Sequence, residues 1–354
     1  MGPRDARRAA DRGGDAVIAV AACVLAAAAA AQDGAKPPAL AAGVPGLVAP
    51  DAKFEVLVDG LKFAEGPAAD ARGNITFCDL ATSEVFRLER EGATWKKTRI
   101  ASGTKGVSGL AWSADGALVG CQMRAGTVVT LVPGDGGAVT LAPHALVGDA
   151  ARAGLNDLTF DRDGRLWVTN MGDRKHPEWA GVWCIPASGE PIHSKVGATR
   201  PNGIRWSAEG GGSSALWIAD YARPRAFRVP AVPGKLGPGG ETSLAFAAAP
   251  NGSGGADGLA IDAQGNAWIA LPGHDRIAVV AKDGTPRGFL DVPDGPSNCA
   301  FGGADGKTLF VTTRSTVRSV PTLVEGAWVA RAFAKAAPAP SAPAAADAPA
   351  RPAP

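Results

Sequence analysis

One hairpin, written six times with variations, constrains this chain more than any other feature. It reads EGPAADARGNITFCD from 65, SGLAWSADGALVGCQ from 108, NDLTFDRDGRLWVTN from 156, NGIRWSAEGGGSSALWIAD from 202, DGLAIDAQGNAWIAL from 257 and NCAFGGADGKTLFVT from 298. The turn glycines, Gly73, Gly116, Gly164, Gly210, Gly265 and Gly306, lie 43, 48, 46, 55 and 41 residues apart, and the long interval contains the GGGSS insertion. Apolar residues stand six and four positions before the glycine, as in Leu110 and Trp112, Leu158 and Phe160, Leu259 and Ile261. They mark one face of a strand, and a second apolar strand follows each turn.

An interval of that size accommodates a four-stranded antiparallel sheet. Six such sheets cannot each bury both faces alone, but set radially they bury blade against blade and leave few free edges. The repeat therefore predicts an all-β fold, a six-bladed β-propeller of four-stranded antiparallel blades over residues 51–333. The segment FEVLVDGL at 54–61 precedes the first copy and STVRSVPTLVEGAWVAR at 315–331 follows the last, and one of them is expected to supply the strand that closes the ring. Helical heptads are absent, in keeping with 47 Gly and 28 Pro. Tryptophans 112, 167, 183, 206, 217 and 268 fall at strand phases and read as packing between blades.

The two ends stand apart from the repeat. Residues 1–15 carry four arginines and 16–31 read AVIAVAACVLAAAAAA with Ala-x-Ala sites, the pattern of a signal peptide spanning 1–31 and so of an exported, periplasmic or secreted protein. The apolar run is short for a membrane span. VAAC at 20–23 resembles a lipoprotein cleavage box, which would place a lipid anchor on Cys23. Residues 32–50 read as a flexible linker, and the Ala/Pro-rich stretch 334–354 as a disordered tail without the means to build a core. Formal net charge is +2 with scattered basic residues, so nothing points to nucleic acid. Cys78, Cys121, Cys184 and Cys299 show neither CxxC nor zinc spacing and are expected as buried thiols, although Cys78 and Cys121 share a phase that leaves a bridge open.

The repeat also supplies a register. Eight residues before each turn glycine stand Glu65, Ser108, Asn156, Asn202, Asp257 and Asn298, each with an oxygen in its side chain. The first strand of every blade lines the central channel, so these positions converge at one end of it. The following residue is glycine in four copies, which permits close backbone approach. One Glu, one Asp and several amides suit a hard divalent cation, and two carboxylates roughly neutralise it. Ser108 and Asn298 also read as local caps of strand entries. For Glu65 and Asp257 that reading is weaker, since two acids facing a narrow channel repel unless something positive lies between them.

At these residues the chain resembles a known family. EGP at 65–67, ND at 156–157, PNG at 201–203, DG at 257–258 and NCAFGG at 298–303 are similar, in order and at blade spacing, to the signature segments of the SMP-30/gluconolactonase/regucalcin-like propellers, across roughly residues 54–320. The resemblance implies a lactonase with one divalent metal ion at the channel mouth, Ca²⁺ foremost, with Mg²⁺, Mn²⁺ or Zn²⁺ as options. Its ligands would be Glu65, Asn202 and Asp257, joined by Asn156 as a fourth ligand or a substrate contact. Asp257 would also be the catalytic proton acceptor, and Asp157, Ser108 and Asn298 would be further substrate contacts around a small-molecule lactone.

The chain departs from the family's sugar lactonases where ARAGLND places Gly154 and Leu155, not an arginine, before Asn156; Arg152 is differently spaced. The loop 170–183 is the expected lid. His176, Trp179 and His274 read as exposed loop residues more than as substrate contacts. The alternative function is a secreted, non-catalytic propeller binding a carbohydrate or protein ligand. Two acids in the channel argue against it, and no GxSxG elbow supports a serine hydrolase.

Overall fold

The computed structural model describes residues 43–327 apart from 93, 134–138, 147–153, 174, 211–212, 233–234 and 238. The leader 1–31 with Cys23, Arg152 and the tail 334–354 lie outside these residues. Among the described residues no helix is long and apolar enough to cross a membrane.

The six repeats build six antiparallel sheets around a channel. Ahead of them runs β1 (Glu55–Val58). Blade one is β2 (Ala64–Ala69), β3 (Ile75–Asp79), β4 (Glu84–Glu91) and β5 (Thr94–Ala101); blade two is β6 (Val107–Trp112), β7 (Leu118–Gln122), β8 (Thr127–Pro133) and β9 (Val139–Leu146). Blade three is β10 (Leu155–Phe160), β11 (Leu166–Asn170), β12 (Gly181–Ile185) and β13 (Ile192–Ser194). Blade four holds β14 (Pro201–Gly210), β15 (Ser213–Asp220) and β16 (Arg225–Val232), and departs from the four-strand plan because both β17 (Lys235–Leu236) and β18 (Gly240–Ser243) pair with β16. Blade five is β19 (Leu259–Ile261), β20 (Ala267–Leu271), β21 (Arg276–Val280) and β22 (Pro286–Asp291).

Blade six is β23 (Asn298–Gly302), β24 (Thr308–Thr312) and β25 (Val317–Pro321), with β1 as its outer strand. Both candidate closing segments are thus used. Residues 317–321 form the third strand, and the N-terminal segment pairs on it with Glu55 opposite Ser319.

The hairpin turns form because their aspartates satisfy the turn's own amides, the local bonding that Asx residues favour. Asp161 Oδ1 accepts the N–H groups of Asp163 and Arg165 at 2.9 Å each, and its Oδ2 accepts the Trp167 indole N–H at 2.9 Å. Asp262 repeats the arrangement with Gln264, Asn266 and Trp268. Trp167 and Trp268 are therefore pinned at both ends, by packing and by a hydrogen bond.

Among the described residues the core consists of six apolar clusters, one at each blade interface. Trp95 of blade one meets Phe310 of blade six edge to face at 5.3 Å, and Trp268 of blade five meets Phe301 of blade six at 5.5 Å. Each such ring buried between blades contributes on the order of 1.5–3 kcal/mol. Burying blade faces is what assembles the repeats into a ring.

Residues 43–50, expected as part of a free linker, are packed instead. Val44, Leu47 and Val48 are buried with Trp268, Val292 and Val324, Gly43 bridges Phe289, and the Leu47 carbonyl accepts the Leu323 N–H at 2.8 Å. Three apolar side chains in an eight-residue stretch outweigh its Gly and Pro content. Cys78, Cys121, Cys184 and Cys299 are buried free thiols.

Candidate metal centre

The first strands of the blades begin at one end of the channel, and four of them open with a break in register: between Glu65 and Ala68, Val107 and Leu110, Leu155 and Leu158, and Pro201 and Ile204. Such bulges re-aim a side chain out of the pleat. The glycine after the site residue permits the blades to meet there. Gly66 has φ of +55°, and a Cβ on it would overlap the Ser108 carbonyl; one on Gly258 would overlap the Asn298 amide.

Backbone carbonyls at this level are held sideways by the neighbouring blade. Cys78 Sγ donates to the Ser108 carbonyl at 3.0 Å, Cys121 Sγ to the Asn156 carbonyl at 2.7 Å and Thr169 Oγ1 to the Asn202 carbonyl at 2.5 Å. Burial pushes the Cys121 and Cys299 thiols up to about 12, so they stay protonated donors. With main-chain oxygens tied off, the side chains are left for the channel.

Four of those side chains come together. Asn156 and Asn202 both turn their amide nitrogens to the Met171 sulfur, at 3.3 and 3.9 Å, which leaves their oxygens for the other side. Asn202 Oδ1 and Asp257 Oδ1 are buried and have no hydrogen-bond partner. Glu65 Oε2 accepts the Gly66 N–H at 2.7 Å and the Asn298 amide at 3.2 Å. Burial pushes the Glu65 carboxyl up to about 7, with the Asp157 charge adding to it and the Gly66 N–H opposing it. Asp257 is raised well above the usual carboxylate range by burial first and then by Glu65 and Asp157.

Two acids are thus held where neither ionises easily, beside orphaned oxygens. That combination is costly in an empty protein and favourable around a cation. Among the described residues no three His, Cys, Asp or Glu side chains cluster, so any ion here is held by two carboxylates and amides. Such an all-oxygen set fits a hard divalent ion and not a soft one.

The remaining two phased residues, and Asp157 beside them, have protein partners. Ser108 Oγ donates to the Asn156 carbonyl at 2.6 Å, and Asn298 bridges Glu65 and the Cys299 N–H. Asp157 Oδ2 pairs with Arg205 Nη1 at 2.7 Å while its Oδ1 accepts the Leu158 N–H. All three brace the set in this geometry.

Of the expected lid, His176 and Trp179 stack at 3.8 Å on a loop open to solvent. His274, expected to be exposed, is buried, its Nδ1 accepting the Ala249 N–H at 3.1 Å. Sequence reasoning missed Met171, Arg205 and the clamps Cys78, Cys121 and Thr169. The clamps did carry a signal, standing five residues after Gly73, Gly116 and Gly164.

Comparison with known proteins places the chain in a family. The family model described as the SMP-30/gluconolactonase/LRE-like region matches residues 63–315. The chain is 26% identical over 294 residues to the diisopropyl-fluorophosphatase of Loligo vulgaris, covering 73% of this chain and 88% of that protein. It is 30% identical over 194 residues to the gluconolactonase of Zymomonas mobilis, covering 48% of this chain and 51% of the relative. Regucalcin from Agrobacterium tumefaciens, a calcium-binding protein, shares the fold with a TM-score of 0.63 at 22% identity, over 78% of this chain and 96% of that one.

Proposed function

Because the chain belongs to the SMP-30/gluconolactonase/LRE-like family, we propose that it is a divalent-metal-dependent hydrolase that opens a lactone, with a sugar acid lactone as the substrate class. The observation that carries this reading is the pair of buried, mutually repelling acids, Glu65 and Asp257, beside the unpartnered oxygens of Asp257 and Asn202. A channel that only bound a sugar or a peptide has no use for such a pair.

Glu65, Asn156, Asn202 and Asp257 would hold the ion, and Ca²⁺ is the first choice for a set of oxygens of this kind. When bound, such an ion supplies Lewis acidity to an ester carbonyl. The protein's own contribution is positional. Asn298 and the Gly66 N–H fix one oxygen of Glu65, and Met171 turns the Asn156 and Asn202 amides so that their oxygens face the substrate side. Asp257, with Oδ1 free of protein partners, takes the proton of the attacking water. The ring oxygen leaves as an alcohol, and the product is a hydroxy acid. Export to the periplasm or medium belongs to this reading and rests on the leader-like residues 1–31.

Metal content of the purified protein, measured together with turnover of D-glucono-1,5-lactone and of diisopropyl fluorophosphate in native and Asp257→Ala protein, tests the proposal. The expected result is about one divalent ion per chain and loss of hydrolysis in the variant. Hydrolysis that survives both chelation and the substitution removes it.

A further inference from the structure

The loops that join second to third strands, and the connections between blades, lie at the same end of the channel as the acids. Three of them bring up side chains that the chemistry above does not use. Arg200 lies in the connection into β14, two residues before Asn202. Tyr221, the chain's one tyrosine, follows β15 directly, and Arg314 sits between β24 and β25.

The first two are built as a unit. The Arg200 carbonyl accepts the Tyr221 N–H at 3.0 Å, and the Arg200 guanidinium lies over the phenol ring at 5.3 Å from its centroid. Gly255, two residues before Asp257, packs so closely on the Tyr221 backbone that a Cβ would overlap it. Arg314 is anchored by its N–H to the Asp294 carbonyl at 3.0 Å, and its Nε lies 3.2 Å from where a Cβ on Gly295 would stand, three residues before Asn298. Burial raises the Tyr221 phenol, and Asp257, Arg200, Glu65 and Arg314 all act on it, so these groups share one field at the mouth.

Both arginines are exposed, and among the described residues neither has an ion-pair partner, whereas Arg165, Arg205, Arg225 and Arg276 do. With the two acids neutralised by a dication, the Asp257 side of the mouth is left with uncompensated guanidiniums, those of Arg200 and Arg314 among them. A neutral lactone uses neither. A carboxylate or phosphate matches the fork of a guanidinium in charge and in geometry.

Resting on the lactonase reading above, we propose that this site selects lactones bearing a second, anionic group, which Arg200 and Arg314 bind at the rim beside Asp257.

The test compares kcat/KM of the Ca²⁺-loaded full chain for neutral D-glucono-1,5-lactone, for D-glucaro-1,4-lactone with its free carboxylate, and for 6-phospho-D-glucono-1,5-lactone. Native protein is expected to favour at least one charged lactone by a factor of about ten or more, the two charged arms separating carboxylate from phosphate. In Arg200→Gln/Arg314→Gln that ratio is expected to fall at least tenfold, chiefly through KM. No preference for a charged lactone, or a ratio unmoved by the double substitution, overturns the proposal. If none of the three is hydrolysed the lactonase reading fails, and calorimetry with 6-phosphogluconate and gluconate then decides on the anion site alone. Tighter binding of the phosphorylated acid, lost in the double variant, upholds it; equal affinities overturn it.

Discussion

The two halves of the central channel are lined by the same six strands and could hardly differ more. At the mouth half stand Glu65, Asn156, Asn202, Asp257 and Asn298, with orphaned oxygens and two acids that resist ionising. At the far half, two to four residues further along each strand, a cavity of about 100 Å³ is lined by Leu110, Trp112, Phe160, Ile261, Phe301 and their neighbours. Between them lies the buried Asp157–Arg205 pair, each partner supported by main-chain groups as well. Sequence period explains the strands of both halves equally. What separates the halves is where buried acid lies: the far lining is mostly apolar and packs, while the mouth holds Glu65 and Asp257 with unpartnered oxygens beside them.

Glu65→Gln should break this contrast most sharply. Hydrolysis is expected to fall by a factor on the order of 10³, since a bound cation contributes several kcal/mol to such chemistry. In chelated protein the same change should raise stability by roughly 1–3 kcal/mol, because one of two repelling buried charges is gone. A variant that loses both activity and apo stability would show that the mouth half, too, is built for the fold. Kinetic assay and thermal denaturation in EDTA read the two effects.

Arg205→Met leaves Asp157 buried without its counter-charge and should cost about 3–5 kcal/mol of stability, read as a lowered Tm. Adding Asp157→Leu should recover most of that loss, since removing both charges spares the desolvation. If the double variant stays as unstable as the single one, the pair is more than a satisfied plug. The smallest effect expected is that of Cys121→Ala, about 1 kcal/mol for the hydrogen bond to the Asn156 carbonyl. A matching loss of metal affinity would show that the clamp also orients the Asn156 side chain.

The legible part of this molecule was the part written as period. Gly73 to Gly306 gave the blades, and counting eight residues back gave the phased positions, because identical sheets place identical phases at one level. Illegible were the groups whose role depends on a neighbouring blade. Met171 lies just past the end of β11, and Arg205 reaches across to Asp157 from the next blade. The packing of 43–50 was hidden in the same way, since its partners Trp268 and Val324 are more than two hundred residues distant in the chain. Ser108 and Asn298 shared the phase of the acids but already read as local caps, and their polar groups are indeed turned to protein partners.

The pairing of Glu55 with Ser319 has a consequence for how the molecule is made. The contact joins residues 264 positions apart, so the latch strand must wait, exposed at a sheet edge, until nearly the whole polypeptide has left the ribosome. Contacts of such long range are slow to form and vulnerable while they are missing. A chain of this design reaches its working state as a late, single event, and any premature stop before residue 317 leaves an open arc with two sticky ends.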